Sequence, residues 1–541
     1  MNGFTGTGTL VRLALRRDRV QLPVWLLALS GVLWASAASV ADLYDSEAAR
    51  LVYATTMASS AATRAFGGPT SGTSLGAIVM TETYTSMAVL IALMSIFAVV
   101  RHTRQNEETG RSEMIAAGVV GRYAALTAAL VVTVLADLAL GVLSCVVLLG
   151  VGLPATGSVL AGAALALVGV TFATVAAVTA QVAESSRAAN GLASAFLGLA
   201  FLARAAGDAA GEIDPGGLSV TSAWPSWFSP LGWGQQTRPF HEDTWWPLVL
   251  PVGLSVLLLT AAYLLVTHRD LGTGMLPTRR GPATASRWLA GSLGLAWRLQ
   301  RTVLFGWATG LLATGIVLGA VADEVTEMTN GNEQMVELLR QLGGAEDLVD
   351  AYLGGSLGLC ALAVAAYLVQ ALLRLRGEET AGRLEPILAT AVSRSRWLAG
   401  HVFWAVLGSA VLLLLTGAGA GLAYGVAVGD VSGQVPRLTG AALVWLPATL
   451  ALGGFVVAVF GVLPRWVVPL SWTGLGVCLL MGQIGALLEL PQVVLDLSPF
   501  THIPAVPAAE VETLPLVVLT VTGLVLATVG LVWFRRRDLA T

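Results

Sequence analysis

Two short stretches hold charged side chains at a spacing that could do chemistry: EETGRSEMIAAGVVGR at residues 107–122 and EETAGRLEPILATAVSR at 378–394. Carboxylates and guanidinium groups beside a few apolar residues suit recognition of another protein surface by complementary charge. Two more acids lie inside apolar runs: Glu82, in TETYTS together with Tyr84, and Asp137, in VLADLAL. An aspartate at the centre of a membrane helix costs about 2.5–3.5 kcal/mol on insertion scales, so such acids usually face a protein interior or a water-filled path. The 30 basic residues are all arginine. Without lysine no GxxxxGK[ST] loop can exist, and the chain has no Walker-type nucleotide site. Cys145, Cys360 and Cys478 stand singly in apolar runs and read as buried thiols, while the five histidines make no metal-ligand spacing.

The elements that must carry these residues are membrane helices. Of 541 residues 55% are hydrophobic and 12% charged, with a mean hydropathy of +0.76, where soluble domains carry roughly 25% charge. A span needs about 20 apolar residues. Twelve such runs occur, near 22–44, 76–100, 123–151, 156–183, 188–206, 245–267, 302–322, 352–373, 397–428, 438–463, 466–488 and 513–534. With the N-terminus inside, 24 of the 30 arginines fall in inner segments, which supports both the count and the orientation. Arg16-Arg17 precedes an apolar run without a small-residue cleavage site and reads as an uncleaved anchor.

The chain repeats itself. A shift of 272 carries Gly110, Arg111, Glu113, Ile115, Ala117, Val120 and Arg122 onto Gly382, Arg383, Glu385, Ile387, Ala389, Val392 and Arg394. Matching the two Glu-Glu-Thr triplets needs a shift of 271, which makes Ala381 an inserted residue. FSPL at 228–231 parallels LSPF at 497–500, and RDL at 269–271 parallels 537–539. The expected fold is an all-α integral membrane protein of about twelve helices. It comprises a six-helix half over 1–270, a cytoplasmic linker with an interfacial helix over 271–300, and a second half over 301–541. Six is even, so the repeat is parallel, with a pseudo-twofold axis along the membrane normal. LVRLALRRDR and WLAGSLGLAWRLQR, ahead of the two halves, both read as interfacial helices.

In each charged stretch a short helix is expected after the glycine, with Met114, Ile115 and Val119 on one side in the first copy. Leu384, Ile387, Leu388 and Val392 gather likewise in the second. Six spans with a short E-x-G-x-x-E helix in the first cytoplasmic loop resemble the permeases of type 2 ATP-binding-cassette (ABC) exporters, in which that element couples to the ATPase. Both halves in one polypeptide resemble the actinobacterial antibiotic and multidrug exporter permeases of the polyketide, tetronasin-type group. The resemblance implies that Glu107, Glu108, Gly110, Arg111 and Glu113, with Glu378, Glu379, Gly382, Arg383 and Glu385, dock two ABC ATPase subunits. It implies that ATP and Mg2+ are bound by that partner and no cofactor by this chain, which would act as a transport subunit and not as an enzyme. Pro386, where the first copy has Met114, suits a first helical turn and makes the two contacts unequal. Span two lines the path in the resembled family, which favours Glu82, with Tyr84, for an amphiphilic substrate, the alternative being a structural Glu82 near the outer interface. Asp137 reads rather as structural, bonded to a neighbouring helix, with a path role as the alternative. The other partner is membrane lipid, with no nucleic acid. The location implied is the cytoplasmic membrane, with both termini cytoplasmic.

On the outer side AWPSWFSPLGWGQQTRPFHEDTWW (223–246) suits an interfacial aromatic belt or a re-entrant element before span six. Residues 324–350 read as an acidic external helix and 45–68 as its counterpart. The alternatives are a twelve-span ion-coupled drug transporter, or a lipid or cell-envelope exporter or sensor sharing the same ATPase coupling. The major superfamily of such transporters usually carries a GxxxDRxGRR-like loop between spans two and three, which RHTRQNEETGRSEMIAAGVVGR lacks.

Overall fold

Backbone amides in lipid have no water to bond to, so spanning segments close their hydrogen bonds internally as helices. The computed structural model describes residues 2–270, 272–275, 283–284, 286, 289, 291–330, 345–484 and 492–539. It divides into two compact units, Met1–Arg280 and Gly281–Thr541. Among the described residues eleven helices are long and apolar enough to cross a membrane, and the run expected at 466–488 forms a shorter apolar helix, Val467–Gly482. The protein is an all-α, multi-pass membrane protein.

The first unit begins with α1 (Thr7–Arg17) and α2 (Gln21–Leu43), followed by the short α3 (Glu47–Ser59) and α4 (Ala61–Gly67) where the 45–68 segment was expected. Then come α5 (Leu75–His102), α6 (Arg104–Glu108), α7 (Arg111–Ala116), α8 (Ala124–Gly150), α9 (Ala155–Val182) and α10 (Ser186–Ala209). A two-stranded antiparallel ribbon, β1 (Glu212–Ile213) with β2 (Val220–Thr221), leads through α11 (Pro230–Gln235) to α12 (Val249–Thr267). Helices α5 and α9 are the most enclosed, and their Met87, Ile91 and Phe172 are fully buried. Helix α8 approaches α9 through Gly141 and Gly162, where a Cβ on either residue would meet the other's carbonyl oxygen at 2.7 and 2.4 Å. Small residues let membrane helices come this close.

The second unit has α13 (Ser292–Asn330), α14 (Ala345–Thr380), α15 (Leu384–Leu388), α16 (Arg394–Ala427), α17 (Val431–Leu443), α18 (Leu446–Val462), α19 (Val467–Ile484), α20 (Gln492–Leu495) and α21 (Thr513–Arg536). Of the stretch 288–301 expected as an interfacial helix, residues 292–301 form the first turns of α13, which runs unbroken from Ser292. Its counterpart α1 is set apart from α2 by the turn at Asp18–Val20. Most of the acidic helix expected at 324–350 lies outside the described residues, as do most of 276–290. Both Ser-Pro pairs cap short helices: Ser229 accepts from the amides of Leu231 and Gly232 at 3.2 and 3.3 Å, and Ser498 from Phe500 at 3.3 Å. Helix α11 is buried, while Trp224 and Phe228 before it stay exposed. Trp245 and Trp246, ahead of α12, are exposed as well.

Candidate functional site

In the first unit the charged stretch forms α6, a turn and α7, between the end of α5, which carries Arg101, and the start of α8, which follows Arg122. Gly110 makes the turn in the left-handed region at φ 70°, and Gly382 repeats it at φ 68°. Glycine enters that region without the Cβ penalty other residues meet. Just before the turn Glu107 is nearly buried. Arg269 grips it with both amino groups, at 2.6 and 2.8 Å, and Arg104 donates to the same carboxylate at 2.9 Å. Just after α7, Arg122 donates to the carbonyls of Val266, Thr267 and Arg269 at 3.0, 2.9 and 3.1 Å. The last carbonyls of a helix lack partners and carry partial negative charge, so Arg122 closes the end of α12. The loop is tied at both ends to the last helix of its unit.

The second unit repeats the arrangement. Arg537 grips Glu379 at 2.6 and 3.0 Å, and Arg376 adds 3.1 Å. Arg394 donates to the carbonyls of Phe534, Arg535 and Arg537 at 3.2, 3.4 and 2.6 Å. These contacts correct the register read from the sequence. Glu107, three residues after Arg104, is the counterpart of Glu379, three after Arg376, so the shift of 272 is unbroken. Ala381 takes the place of Thr109 and is no insertion. The Glu-Glu-Thr triplets are offset by one residue and are not equivalent.

Five of the ten expected docking residues, Glu107, Glu108, Glu378, Glu379 and Arg383, are therefore engaged by side-chain bonds within the chain. Glu107 and Glu379 form the clamps. Glu108 accepts hydrogen bonds from the amide and the hydroxyl of Ser186, at the start of α10. Glu378 accepts from Arg383 at 2.8 and 3.1 Å and lies 3.4 Å from Arg374. The tips remain outside: Arg111 and Glu113 on α7, and Arg383, Glu385 and Pro386 at α15, are exposed.

Apolar residues at the two tips have different fates. In the first copy Met114 is 73% exposed and Val119 72%. In the second, Leu384 is 1% exposed, and Ile387, Leu388 and Val392 pack against their own unit's core. The first loop has a different brace. The amides of Gly121 and Tyr123 donate to the carbonyls of Thr5 and Gly3, both at 2.9 Å, and Phe4, Tyr123 and Tyr263 form a ring cluster with centroids 5.3–6.1 Å apart. A Cβ on Gly121 would sit 2.2 Å from Gly3 O, so glycine is required there. Nearby, Asp18 accepts from Arg101 at 2.6 Å and lies 2.6 Å from His102 Nε2. Burial raises its pKa, but the hydrogen bond and charge of His102, with Arg101 and Arg17, outweigh that and hold the carboxyl below its ordinary value.

The three residues expected along a substrate path are not brought together. Glu82 is exposed and accepts a 2.5 Å hydrogen bond from Tyr53, whose ring meets Tyr44 edge-on at 4.9 Å. Burial, then the neighbouring Glu82, raises the Tyr53 pKa and keeps its hydroxyl a donor. Tyr84 is buried, and its hydroxyl donates to Leu231 O at 3.2 Å. Asp137 is wholly buried, with Ser95 donating to Oδ1 at 2.7 Å and Gly169 packed against it. The sequence reading missed a buried cluster at the opposite end. Arg204 donates to Asp208 at 3.0 Å and to the Ala65 carbonyl at 2.6 Å, and Arg64 reaches the carbonyls of Asp208 and Ala209 at 3.1 and 2.7 Å. Arg204 and Asp208, four residues apart at the end of the apolar stretch of α10, were its signal. For the clamps, the signals were Arg122 with Arg394 and the repeated RDL.

Comparison with known proteins gives a matching family described as multidrug efflux system permease Rv1217c, C-terminal domain. It matches residues 8–266 and 289–535, one segment in each unit. The chain is 41% identical over 538 residues to the multidrug efflux system permease protein Rv1217c of Mycobacterium tuberculosis (strain ATCC 25618 / H37Rv), covering 99% of this chain and 96% of that one.

Proposed function

Because the chain belongs to the multidrug efflux system permease family, we propose that it is the membrane permease subunit of a type 2 ABC exporter. In this reading it resides in the cytoplasmic membrane with both termini inside, and moves amphiphilic drugs or antibiotics out of the cell. It resembles the tetronasin-type group. Two copies of a separate ATPase, which binds ATP and Mg2+, supply the energy, since a chain without lysine has no P-loop of its own. The observation that carries the proposal is the duplicated loop: in each unit a short helix with an exposed charged tip is tied to the last span by a buried Arg–Glu clamp and an arginine cap.

A tip held this way can transmit a push. Bidentate arginine–carboxylate pairs fix orientation as well as distance, so an ATPase pressing on Arg111, Glu113 and Met114 would move the ends of α5, α8 and α12 together. The second tip, at Arg383, Glu385 and Pro386, would move α14, α16 and α21. Both contacts rest on exposed charge, and the first adds an exposed methionine, which adapts to irregular partner surfaces.

The test is co-purification of the permease with its candidate ATPase, comparing wild type with Glu113→Arg plus Glu385→Arg. The expected outcome is loss of the complex with the permease still folded. A complex that forms undiminished would refute the docking assignment.

A further inference from the structure

Under α7, at the arginine-rich end of the first unit, lies a cavity of about 950 Å3, near the top of the roughly 300–1,000 Å3 range of ligand sites. Helix α1, the end of α5, α7, the start of α8 and the end of α12 line it. Its lining combines the aliphatic side chains of Leu10, Leu13, Ile115 and Val120 with five arginines against two acids, Glu107 and Asp270. Three of the arginines are occupied: Arg269 by Glu107, Arg122 by the end of α12, and Arg17 by Asn106 at 2.7 Å. Among the described residues the other two, Arg16 and Arg111, have no hydrogen-bond or ion-pair partner, and both line the cavity.

We propose that this cavity holds an anionic phospholipid from the leaflet on that side of the membrane, its phosphate gripped by Arg16 and Arg111 and its upper acyl chains on the leucine, isoleucine and valine side chains. Charge complementarity selects the phosphate, which guanidinium forks recognise. The apolar lining selects a lipid over a free anion. Helix α1 points the same way: Leu13 and Leu15 are about half exposed between Arg12, Arg16 and Arg17, a pattern that places a helix in the headgroup layer. The proposal does not depend on the ATPase reading, and it assigns Arg111 to the lipid, leaving Glu113 and Met114 as the first tip's contacts with a partner.

The experiment uses the full chain, purified in mild detergent and examined by native mass spectrometry with phosphatidylglycerol or phosphatidylcholine added. Phosphatidylglycerol should be retained in preference to phosphatidylcholine. It should bind about five-fold more weakly for each of Arg16→Ala and Arg111→Ala, taking roughly the contribution of one arginine at an anionic surface. Equal retention of the two lipids, or undiminished binding in the double variant, would overturn the proposal. Displacement of the lipid by millimolar inorganic phosphate would overturn it too, in favour of a free-anion site. Should the double variant fail to fold, a photoactivatable phosphatidylglycerol on the wild-type chain decides. Cross-links within 10–17 and 111–122 support the site, and cross-links confined to other segments refute it.

Discussion

Glu107 with Arg269 and Arg122, and Glu379 with Arg537 and Arg394, build one anchor twice. What lies over the two anchors differs. The first loop presents Met114 and Val119 outward and leans on the N-terminal residues Gly3 and Thr5, while the second turns Leu384 inward onto its own core. The difference separates two jobs that the sequence merges. The anchor belongs to the fold of each unit and recurs unchanged; the tip is the part free to meet something else.

The largest effects are expected at the anchor. Glu379→Ala leaves Arg537 and Arg376 without their carboxylate in a nearly buried site, and removing one partner of such a pair costs about 3–5 kcal/mol. Glu107→Ala should do the same in the first unit, and thermal melting of the purified chain checks both. Leu384→Ala comes next: deleting a buried leucine side chain costs about 2–5 kcal/mol, again read by melting. Arg122→Ala and Arg394→Ala each remove a helix cap, a loss of about 1–2 kcal/mol. The expected sign is faster amide exchange confined to the ends of α12 and α21. The smallest stability change should come from Met114→Ala, within about 0.5 kcal/mol at an exposed site, yet this variant should weaken ATPase binding measurably in a pull-down titration. Were Met114→Ala as destabilising as Leu384→Ala, the two tips would be alike and the distinction would fall.

The spans were legible because lipid demands long apolar helices, and the duplication because Gly110, Arg111, Glu113 and Arg122 recur in order. The register was misread for a physical reason. Two consecutive glutamates look equivalent as letters, but only the one facing Arg269 or Arg537 makes the clamp, and helix phase decides which one that is. The acceptors of Arg122 and Arg394 are backbone carbonyls, which leave no residue identity to read. The continuity of α13 was hidden because the stretch before the first span contains the same arginines and leucines as α1, and what separates the cases is the turn at Asp18, held by Arg101 and His102 from α5. The helix expected after Gly110 begins at Arg111, and the left-handed turn that glycine permits there recurs at Gly382. Tyr84 was grouped with Glu82 because both lie on span two, although helix rotation sends Tyr84 inward and Glu82 outward two residues apart.

The proposed coupling has ATP hydrolysis on separate subunits driving this permease through its two exposed tips. Its most direct test is ATP hydrolysis by the permease–ATPase complex in proteoliposomes, with and without an amphiphilic drug, for wild type and for Glu113→Arg plus Glu385→Arg. Drug should stimulate hydrolysis in the wild type, and the double variant should fall to the rate of the ATPase alone. Drug-stimulated hydrolysis persisting in the double variant at the wild-type level would contradict it.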